Sequence, residues 1–283
     1  MRFGLNTFLY ASPFTNESAH LFKKLKNWGF DSVEIPIEDP SHVDPKFLKA
    51  AAAKAGIAIG SICAAMGPGR DLRGSAKDQA NGRKYIMALI DQAAEMGCPR
   101  LIGPLYSVVG LIGAHDDKTK AKHFKLVVKN LKVLGKHAQK KGVELDIEPL
   151  NRFETDFLNT CDQGLRLVKA INLPNVKLHL DTFHMNIEEK NQAAAILKAG
   201  GFKGPASCYT VQLSSRKQTM AGAKFNAKAK NCTKYAFDGA GLYYSNASKK
   251  TWFLLDAASS TGAAQCEALQ VLVGVVAWQD LIP

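Results

Sequence analysis

Residues 142–154 read Gly-Val-Glu-Leu-Asp-Ile-Glu-Pro-Leu-Asn-Arg-Phe-Glu, and this stretch decides the fold class. The glycine is followed by a short strand-like run, Val143 to Ile147, which ends at Glu148. Short runs bounded in this way by Gly and Pro are typical of buried strands. Glu148 is therefore predicted to lie where a buried strand ends and a loop begins.

A second motif repeats this arrangement further along the chain. Val176 to Leu180 also reads as a buried strand, and the motif His179-Leu-Asp-Thr-Phe-His184 places Asp181 at its end. Burying an unpaired carboxylate is costly, so two carboxylates at strand ends indicate a shared cation or a polar substrate. Helix capping or a surface salt bridge is the alternative interpretation of these residues.

A glycine at the end of a polar helical stretch precedes a strand-like run at several points. Glycine suits this position because the residue after a helix often adopts a left-handed conformation. Strands separated by helices lie parallel, and repeated right-handed crossovers give either a doubly wound sheet or a closed barrel. These joints are Gly29 before Asp31 to Ile37, Gly56 before Ile57 to Ile62, Gly97 before Leu101 to Leu105, and Gly142 before Val143 to Ile147.

The number of strands favours the barrel. Eight βα units in roughly 250 to 300 residues are typical of a (β/α)8 barrel, and no GxGxxG follows the first strand as a dinucleotide-binding sheet would require. We therefore predict one α/β domain over residues 1–283, a (β/α)8 TIM barrel whose chemistry lies at the carboxyl ends of the strands. Predicted strands lie near Phe3, Ser32, Ile57, Leu101, Val143 and Val176.

Composition indicates a soluble, cytoplasmic protein. The chain has 283 residues, of which 46% are hydrophobic, so it can bury a full core. No apolar run reaches the roughly 18 residues that a membrane span needs, and Met1 to Tyr10 reads as a first strand rather than an export signal. The six cysteines are scattered without a CxxC pair, which fits neither a disulfide framework nor a zinc knuckle.

The formal charge of +12 raises the question of an anionic partner such as nucleic acid. The lysines between Lys118 and Lys141, however, recur in a helical pattern whose other face is apolar. This pattern predicts a solvated helix face and no nucleic-acid partner. The apolar positions are Phe124, Val127, Val128, Leu131 and Leu134.

Residues 1 to about 200 resemble the ketose 3-epimerase branch, which comprises D-tagatose, D-allulose and L-ribulose 3-epimerases, of the xylose isomerase-like superfamily. The resemblance implies a metal-dependent isomerase or epimerase that inverts C3 of a free ketose through an enediolate. The matching segments are Phe3-Gly-Leu-Asn-Thr, Phe30-Asp-Ser-Val-Glu-Ile, Gly67-Pro-Gly-Arg-Asp-Leu-Arg-Gly74, Gly103-Pro-Leu-Tyr106, Glu148-Pro-Leu-Asn-Arg-Phe-Glu154 and Leu180-Asp-Thr-Phe-His-Met-Asn-Ile-Glu-Glu189.

The same resemblance implies a divalent cation, Mn²⁺, Co²⁺ or Mg²⁺. Such a cation would chelate O2 and O3 of an open-chain ketose and stabilise the enediolate. One glutamate would remove the C3 proton and a second would return it from the opposite face. By motif, Glu148 is implied as metal ligand and acid/base group, and Asp181 as a metal ligand.

Three further residues are implied as substrate contacts. Glu154 and His184 match positions that contact substrate hydroxyls, although Glu154 could instead pair with Arg152 and His184 could be a packing histidine. Tyr106, at the end of the predicted fourth strand, is a candidate for the sugar pocket or for the core.

The resemblance stops near residue 200. It implies a histidine ligand on the seventh strand and a glutamate on the eighth, roughly two dozen and five dozen residues after Asp181. All seven histidines lie at or before His184, and Glu267 is the only glutamate after Glu189. This exact chain is therefore expected to bind a cation weakly and to epimerise ketoses poorly or not at all.

The βα units of residues 201–283 are accordingly expected to be atypical or incomplete. A shifted reading frame near Gly201 to Pro205 is one explanation, and a genuine divergent tail is the other. Pro205 to Leu213 is a weak candidate for the seventh strand, and Ala268 to Trp278 is expected to dock as a helix or strand. The Lys-, Ala- and Ser-rich stretch from Gln212 to Ser248 is expected to be largely irregular or mobile.

Two other functions remain as hypotheses. A non-catalytic barrel could retain Glu148, Asp181 and His184 as a platform for binding carbohydrate. An abasic-site endonuclease would need a trinuclear zinc cluster, for which only His179 and His184 lie near a predicted strand end. A small ketose is the expected partner, a homo-oligomer is possible, and neither nucleic acid nor membrane is expected.

Overall fold

Six parallel strands form one sheet in chain order, as the sequence predicts. The structure, a computed structural model, describes residues 3–200 and, beyond them, the backbone of five short strands. Each strand of the six pairs in parallel with the next. They are β1 (Gly4–Asn6), β2 (Ser32–Ile37), β3 (Ala58–Ala64), β4 (Arg100–Gly103), β5 (Glu144–Ile147) and β6 (Val176–Leu178).

Helices alternate with these strands, which confirms the predicted βα units. Within the part of the chain that the structure describes, none of the helices is long and apolar enough to cross a membrane. The helices are α1 (His20–Asn27), α2 (Pro45–Ala55), α3 (Ala76–Met96), α4 (Asp117–Lys141), α5 (Cys161–Ile171), α6 (Thr182–Glu188) and α7 (Gln192–Gly200).

Helix α4 shows how the sequence pattern becomes a helix packed on the sheet. The Asp116 side chain accepts a hydrogen bond from the backbone N–H of Thr119 and begins the helix, and Gly142 ends it at a φ of 70°. Its apolar positions Leu131 and Leu134 are buried, whereas its lysines are exposed. Burial of this stripe against the barrel stabilises a helix whose neighbouring like charges repel one another.

The pairing of β5 with β6 confirms that the two motif-bearing strands are neighbours. Leu145 lies opposite Val176, and Ile147 lies opposite Leu178. After a break at His179, whose backbone N–H still donates to the carbonyl of Ile147, the chain forms β7 (Leu180–Asp181). Two parallel strands in this register end at the same edge of the sheet, so their terminal carboxylates emerge together.

Beyond residue 200, two strands extend this side of the sheet. Strand β8 (Tyr209–Gln212) pairs in parallel with β7, in the stretch predicted as a candidate seventh strand. The stretch from Ala268 to Trp278 contains strand β12 (Leu272–Val275), which pairs antiparallel with β8 and lies beside β1. An eighth strand of a (β/α)8 barrel would run parallel, so this end of the barrel is atypical, as expected.

A separate antiparallel sheet corrects one expectation. Gln212 to Ser248 was predicted to be largely irregular, and this is wrong for residues 233–237 and 240–247. Tyr, Phe and Leu punctuate these stretches, and residues of this kind favour strands despite the surrounding Lys and Ala. The strands are β9 (Thr233–Phe237), β10 (Ala240–Ala247) and β11 (Lys250–Ala257), and the rest of the stretch lies outside the described residues.

Gly103 closes β4 at a point where the backbone has no room for a side chain. Its φ is +120°, and a Cβ built on it would lie 3.1 Å from the carbonyl oxygen of Ala64. The Gly103 carbonyl in turn accepts a hydrogen bond from the Glu148 backbone N–H at 3.0 Å. The conformation of Gly103 therefore fixes where Glu148 leaves the sheet.

We predict that Gly103→Ala lowers the free energy of unfolding by about 1–3 kcal/mol, because it places a Cβ in a strained and crowded conformation. Urea denaturation followed by circular dichroism measures this change. Gly67→Ala is the matched control, since nothing lies within 4 Å of its would-be Cβ. The control should change the free energy by no more than about 0.5 kcal/mol. Equal losses in the two variants would contradict the argument.

Candidate active site

Glu148 is held at the carboxyl end of β5 by its main chain. Its backbone N–H donates to Gly103, and its carbonyl accepts from the hydroxyl of Tyr106 at 2.9 Å. The residue is only 7% exposed. Both main-chain groups of Glu148 are thus held by the neighbouring strand and its loop, which fixes the position from which the side chain extends.

Tyr106 itself is a core residue. It is fully buried, and its ring packs on Phe157 with the ring centroids 5.3 Å apart. The hydroxyl is directed at the carbonyls of Glu148 and Leu158. Because its hydroxyl already contacts main-chain carbonyls, this placement does not support the expectation that Tyr106 lines the sugar pocket. Tyr106 is instead a core residue, the second of the two alternatives.

Asp181 ends β7 and begins α6. Its Oδ1 accepts a hydrogen bond from the Phe183 backbone N–H at 2.7 Å, so the helix-capping alternative is correct for this oxygen. The second oxygen, Oδ2, lies 3.9 Å from His184 Nε2. The residue is 2% exposed, and the two oxygens of this buried carboxylate face different groups: Oδ1 caps α6, and Oδ2 faces His184.

Glu148, Asp181 and His184 converge. Each offers one ligand atom, and these three atoms lie within 4.8 Å of one another. His184 Nε2 is 3.9 Å from Glu148 Oε1 and 3.9 Å from Asp181 Oδ2, too far for direct hydrogen bonds. An atom placed between the three groups would contact all of them.

The hydrogen bonds of His184 determine its tautomer. Its Nδ1 accepts from the Asn151 backbone N–H at 3.1 Å, and the Asn151 amide nitrogen lies 2.9 Å from the same atom. A backbone N–H can only donate, so Nδ1 carries the lone pair and the proton of the neutral ring is on Nε2. His184 therefore presents an N–H donor to the site, which suits an oxygen of a substrate better than a cation.

Glu154 approaches the same histidine from the opposite side. Its Oε1 accepts from Asn151 Nδ2 at 2.9 Å and lies 4.0 Å from His184 Nδ1. Arg152 forms its ion pair with Glu188 instead, so the alternative pairing of Arg152 with Glu154 does not occur. Asn151 therefore links Glu154 to His184. Sequence reasoning missed this role: Asn151 lies inside the Glu148–Glu154 motif, but only the fold brings it against His184.

His179 is a buried residue of the site that sequence reasoning did not assign. It is 2% exposed, and its Nδ1 lies 3.6 Å from Glu148 Oε1, longer than a hydrogen bond, so the attraction acts through charge. Burial lowers its pKa, but Glu148, then Glu34 and Asp181, outweigh burial and raise the pKa of His179 to about 9.

The pKa of Glu148 moves the opposite way. Burial favours the neutral acid, but the neighbouring His179, chiefly through its charge, holds the pKa of the Glu148 carboxyl below its usual value. The carboxylate is therefore ionised at neutral pH. An ionised carboxylate is the form that can bind a cation or accept a proton.

Glu34 is a second carboxylate that lies deep in the barrel. It accepts hydrogen bonds from Asn6 Nδ2 at 2.7 Å and from Ser61 Oγ at 2.6 Å. Burial raises its pKa. Nearby Cys63 is a free thiol whose pKa burial and the surrounding carboxylates raise, so it is not a ready nucleophile. Glu34 is therefore a buried carboxylate whose two oxygens each accept a hydrogen bond.

The donor set fits a hard or borderline divalent cation. Two buried carboxylates, Glu148 and Asp181, place oxygens close together, and negative charges brought together in this way repel one another and favour a cation between them. His179 compensates part of that charge from below. The described residues would therefore offer a cation two oxygen ligands, with the His184 donor beside them.

We predict that the free energy of unfolding falls as pH rises from about 6.5 to about 9. The folded-state pKa of His179 is raised to about 9. Its stabilising contribution is therefore complete at a pH below its unfolded-state pKa, and it is lost as the pH rises through the folded-state pKa. Urea denaturation in metal-free buffer at several pH values measures the slope. His179→Gln should flatten it, whereas His137→Gln, which removes a surface contact with Asp91, should not. Equal slopes in wild type and His179→Gln would contradict this.

Comparison with known proteins agrees with the fold. A family model described as the xylose isomerase-like TIM barrel matches residues 22–233. A probable ketose 3-epimerase from Synechocystis sp. is 33% identical over 207 residues, 70% of this chain and 69% of the relative. A ketose 3-epimerase from Arthrobacter globiformis is 30% identical over 201 residues, 70% of this chain and 68% of the relative.

Solved structures give the same result. An L-ribulose 3-epimerase superposes with a TM-score of 0.69 at 27% identity, covering 79% of this chain and 73% of that one. D-Psicose 3-epimerase with D-tagatose from Clostridium cellulolyticum H10 superposes with a TM-score of 0.63 at 27% identity, covering 71% of each chain. The chain belongs to the xylose isomerase-like TIM barrel family, and its homologues are ketose 3-epimerases.

Proposed function

We propose that this protein binds a divalent cation, Mn²⁺, Co²⁺ or Mg²⁺, between Glu148 and Asp181 and acts on a free ketose at C3. The observation that carries the proposal is the convergence of Glu148, Asp181 and His184 at the carboxyl end of the sheet. The named activities of the homologues supply the substrate class, which includes D-psicose and L-ribulose. One domain spanning residues 1–283 and a cytoplasmic location belong to the same proposal.

Each residue has a separate role in this proposal. Glu148, ionised and anchored, removes the C3 proton. His184 donates its Nε2–H to an oxygen of the ketose, and Glu154 accepts a hydrogen bond from a substrate hydroxyl. A bound cation supplies the positive charge that stabilises the enediolate. Asn151 holds His184 and Glu154 in the required orientation.

The chain is proposed to be impaired because the second half of the family site is missing. Among residues 3–200, only one cluster could hold a metal ion, and it contains one histidine. After residue 200 the sequence has no histidine, and its single glutamate is Glu267. The same shortage of histidines argues against the trinuclear zinc site of an endonuclease.

This shortage leads to a distinctive expectation for the reaction. Glu148 can remove the C3 proton, but no opposing carboxylate within residues 3–200 joins its cluster to deliver a proton to the other face. Glu148 would then return a proton to the face from which it came. Exchange of the C3 hydrogen with solvent should therefore exceed inversion at C3.

We predict weak Mn²⁺ binding by calorimetry and, in D2O, incorporation of deuterium at C3 of D-fructose, D-tagatose or L-ribulose with little epimer formed. Glu148→Gln should lower the exchange rate by about 10²- to 10⁴-fold. Asp91→Asn is the control, because this carboxylate lies half-exposed on α3 and pairs with Lys141. NMR of the recovered sugar measures both exchange and inversion.

Other outcomes distinguish the alternatives. Ketose binding without exchange or inversion would favour the second candidate, a non-catalytic carbohydrate-binding barrel. The observation that favours this candidate is that, within residues 3–200, no opposing carboxylate joins the cluster of Glu148 to act as the second acid/base group. Tight, stoichiometric Mn²⁺ binding with rapid epimerisation would show that the tail contributes replacement groups and would overturn the proposed impairment.

A further inference from the structure

Three loops at the carboxyl end of the sheet meet at one buried carboxylate, Asp156. Its side chain is 7% exposed and lies in the loop between β5 and α5. Its Oδ1 accepts a hydrogen bond from Arg73 of the loop between β3 and α3. Its Oδ2 lies 3.2 Å from Nε2 of His115, which belongs to the loop between β4 and α4.

The cluster around Asp156 contains more negative than positive charge. Arg73 is almost completely buried and lies between two carboxylates, Asp156 and Asp71. One cation against two carboxylates leaves a net negative charge, and Oδ2 of Asp156 makes no hydrogen bond of good geometry. A buried carboxylate oxygen in this state favours a donor, and His115 is the group within reach. The His123 ring packs edge-on against His115 and supports it from α4.

The cluster holds the loop between β4 and α4 against the residues that precede Asp156. Next to it, the Gly110 backbone N–H donates to the carbonyl of Glu154 at 2.7 Å, and Leu111 forms an isolated parallel bridge with Thr155. A third backbone hydrogen bond, from the Val109 N–H to the carbonyl of Met66 at 3.2 Å, holds the same loop to the loop between β3 and α3. The Gly110 contact acts directly on Glu154, whose side chain faces His184.

We propose that Asp156 is a positioning residue. By holding Arg73 and His115 together, it clamps the loop between β4 and α4 onto the backbone of Glu154 and so fixes the Glu154 carboxylate for a ketose hydroxyl. The inference rests on the proposed function for its substrate, but the clamp itself is a property of the three loops. Asp156 acts through Glu154 and does not touch the substrate.

Hydrogen exchange tests the clamp without any need for turnover. In Asp156→Asn, the amide side chain keeps the shape but removes the charge that holds Arg73 and His115. The amide of Gly110 should then exchange about ten-fold faster or more. Asp91→Asn is the matched control, because Asp91 also contacts a histidine, His137 at 3.0 Å, but lies on the outer helices. The control should leave exchange at Gly110 unchanged.

Ketose titration tests the consequence for the site. Asp156→Asn should raise KM for C3 exchange, or Kd for the ketose, by about five-fold or more while kcat stays within about two-fold. A merely structural role would instead lower melting temperature and kcat together. If Asp156→Asn does not fold, His115→Gln tests the same contact at a side chain that is 32% exposed.

The outcomes separate the clamp from the proposed function. Unchanged Gly110 exchange in folded Asp156→Asn or His115→Gln overturns the clamp. Faster exchange with unchanged KM or Kd overturns the positioning of Glu154. If the wild-type protein neither binds nor exchanges any ketose, the proposed function fails, and the inference about Glu154 falls with it, while Gly110 exchange still decides the clamp.

Discussion

Parallel pairing of β5 with β6 is the constraint on which the rest of the site depends. The register places Ile147 opposite Leu178, so the two strands reach the same edge of the sheet within one residue of each other. Glu148 directly follows β5, and Asp181 is the last residue of β7, which continues the chain beyond β6. A shift of one residue would turn either carboxylate away from the common site, because side chains alternate between faces.

The buried charges below this edge explain why the site tolerates its carboxylates. Arg100 lies 3.4 Å from Glu144 and 3.7 Å from Asp146, and Lys177 pairs with Glu144. Higher in the barrel, His179 faces Glu148. Glu144, Asp146 and Glu148 therefore each have a cationic neighbour, without which their burial would be strongly destabilising. The arrangement keeps Glu148 ionised before any cation binds.

The tail determines how complete the site is. Strand β8 continues the sheet in parallel beside Asp181, but β12 runs antiparallel beside β8. A family barrel places its remaining functional groups at the carboxyl ends of the seventh and eighth strands. An antiparallel strand presents its amino end at that edge instead. The backbone therefore extends the sheet in an orientation unlike that of an eighth barrel strand, and the sequence has no histidine after His184 and only Glu267 as a glutamate after Glu189.

The sequence by itself determined the βα order, the parallel sheet, the amphipathic helix α4 and the two motif carboxylates, because periodicity, glycine joints and motifs are local properties. Only the tertiary structure decided that Tyr106 is a core residue, that Asn151 sets the tautomer of His184, and that His179 supports Glu148. It also revealed the clamp at Asp156. Each of these depends on groups from different loops or strands, whose proximity follows from the parallel packing of the sheet and leaves no local signal in the chain.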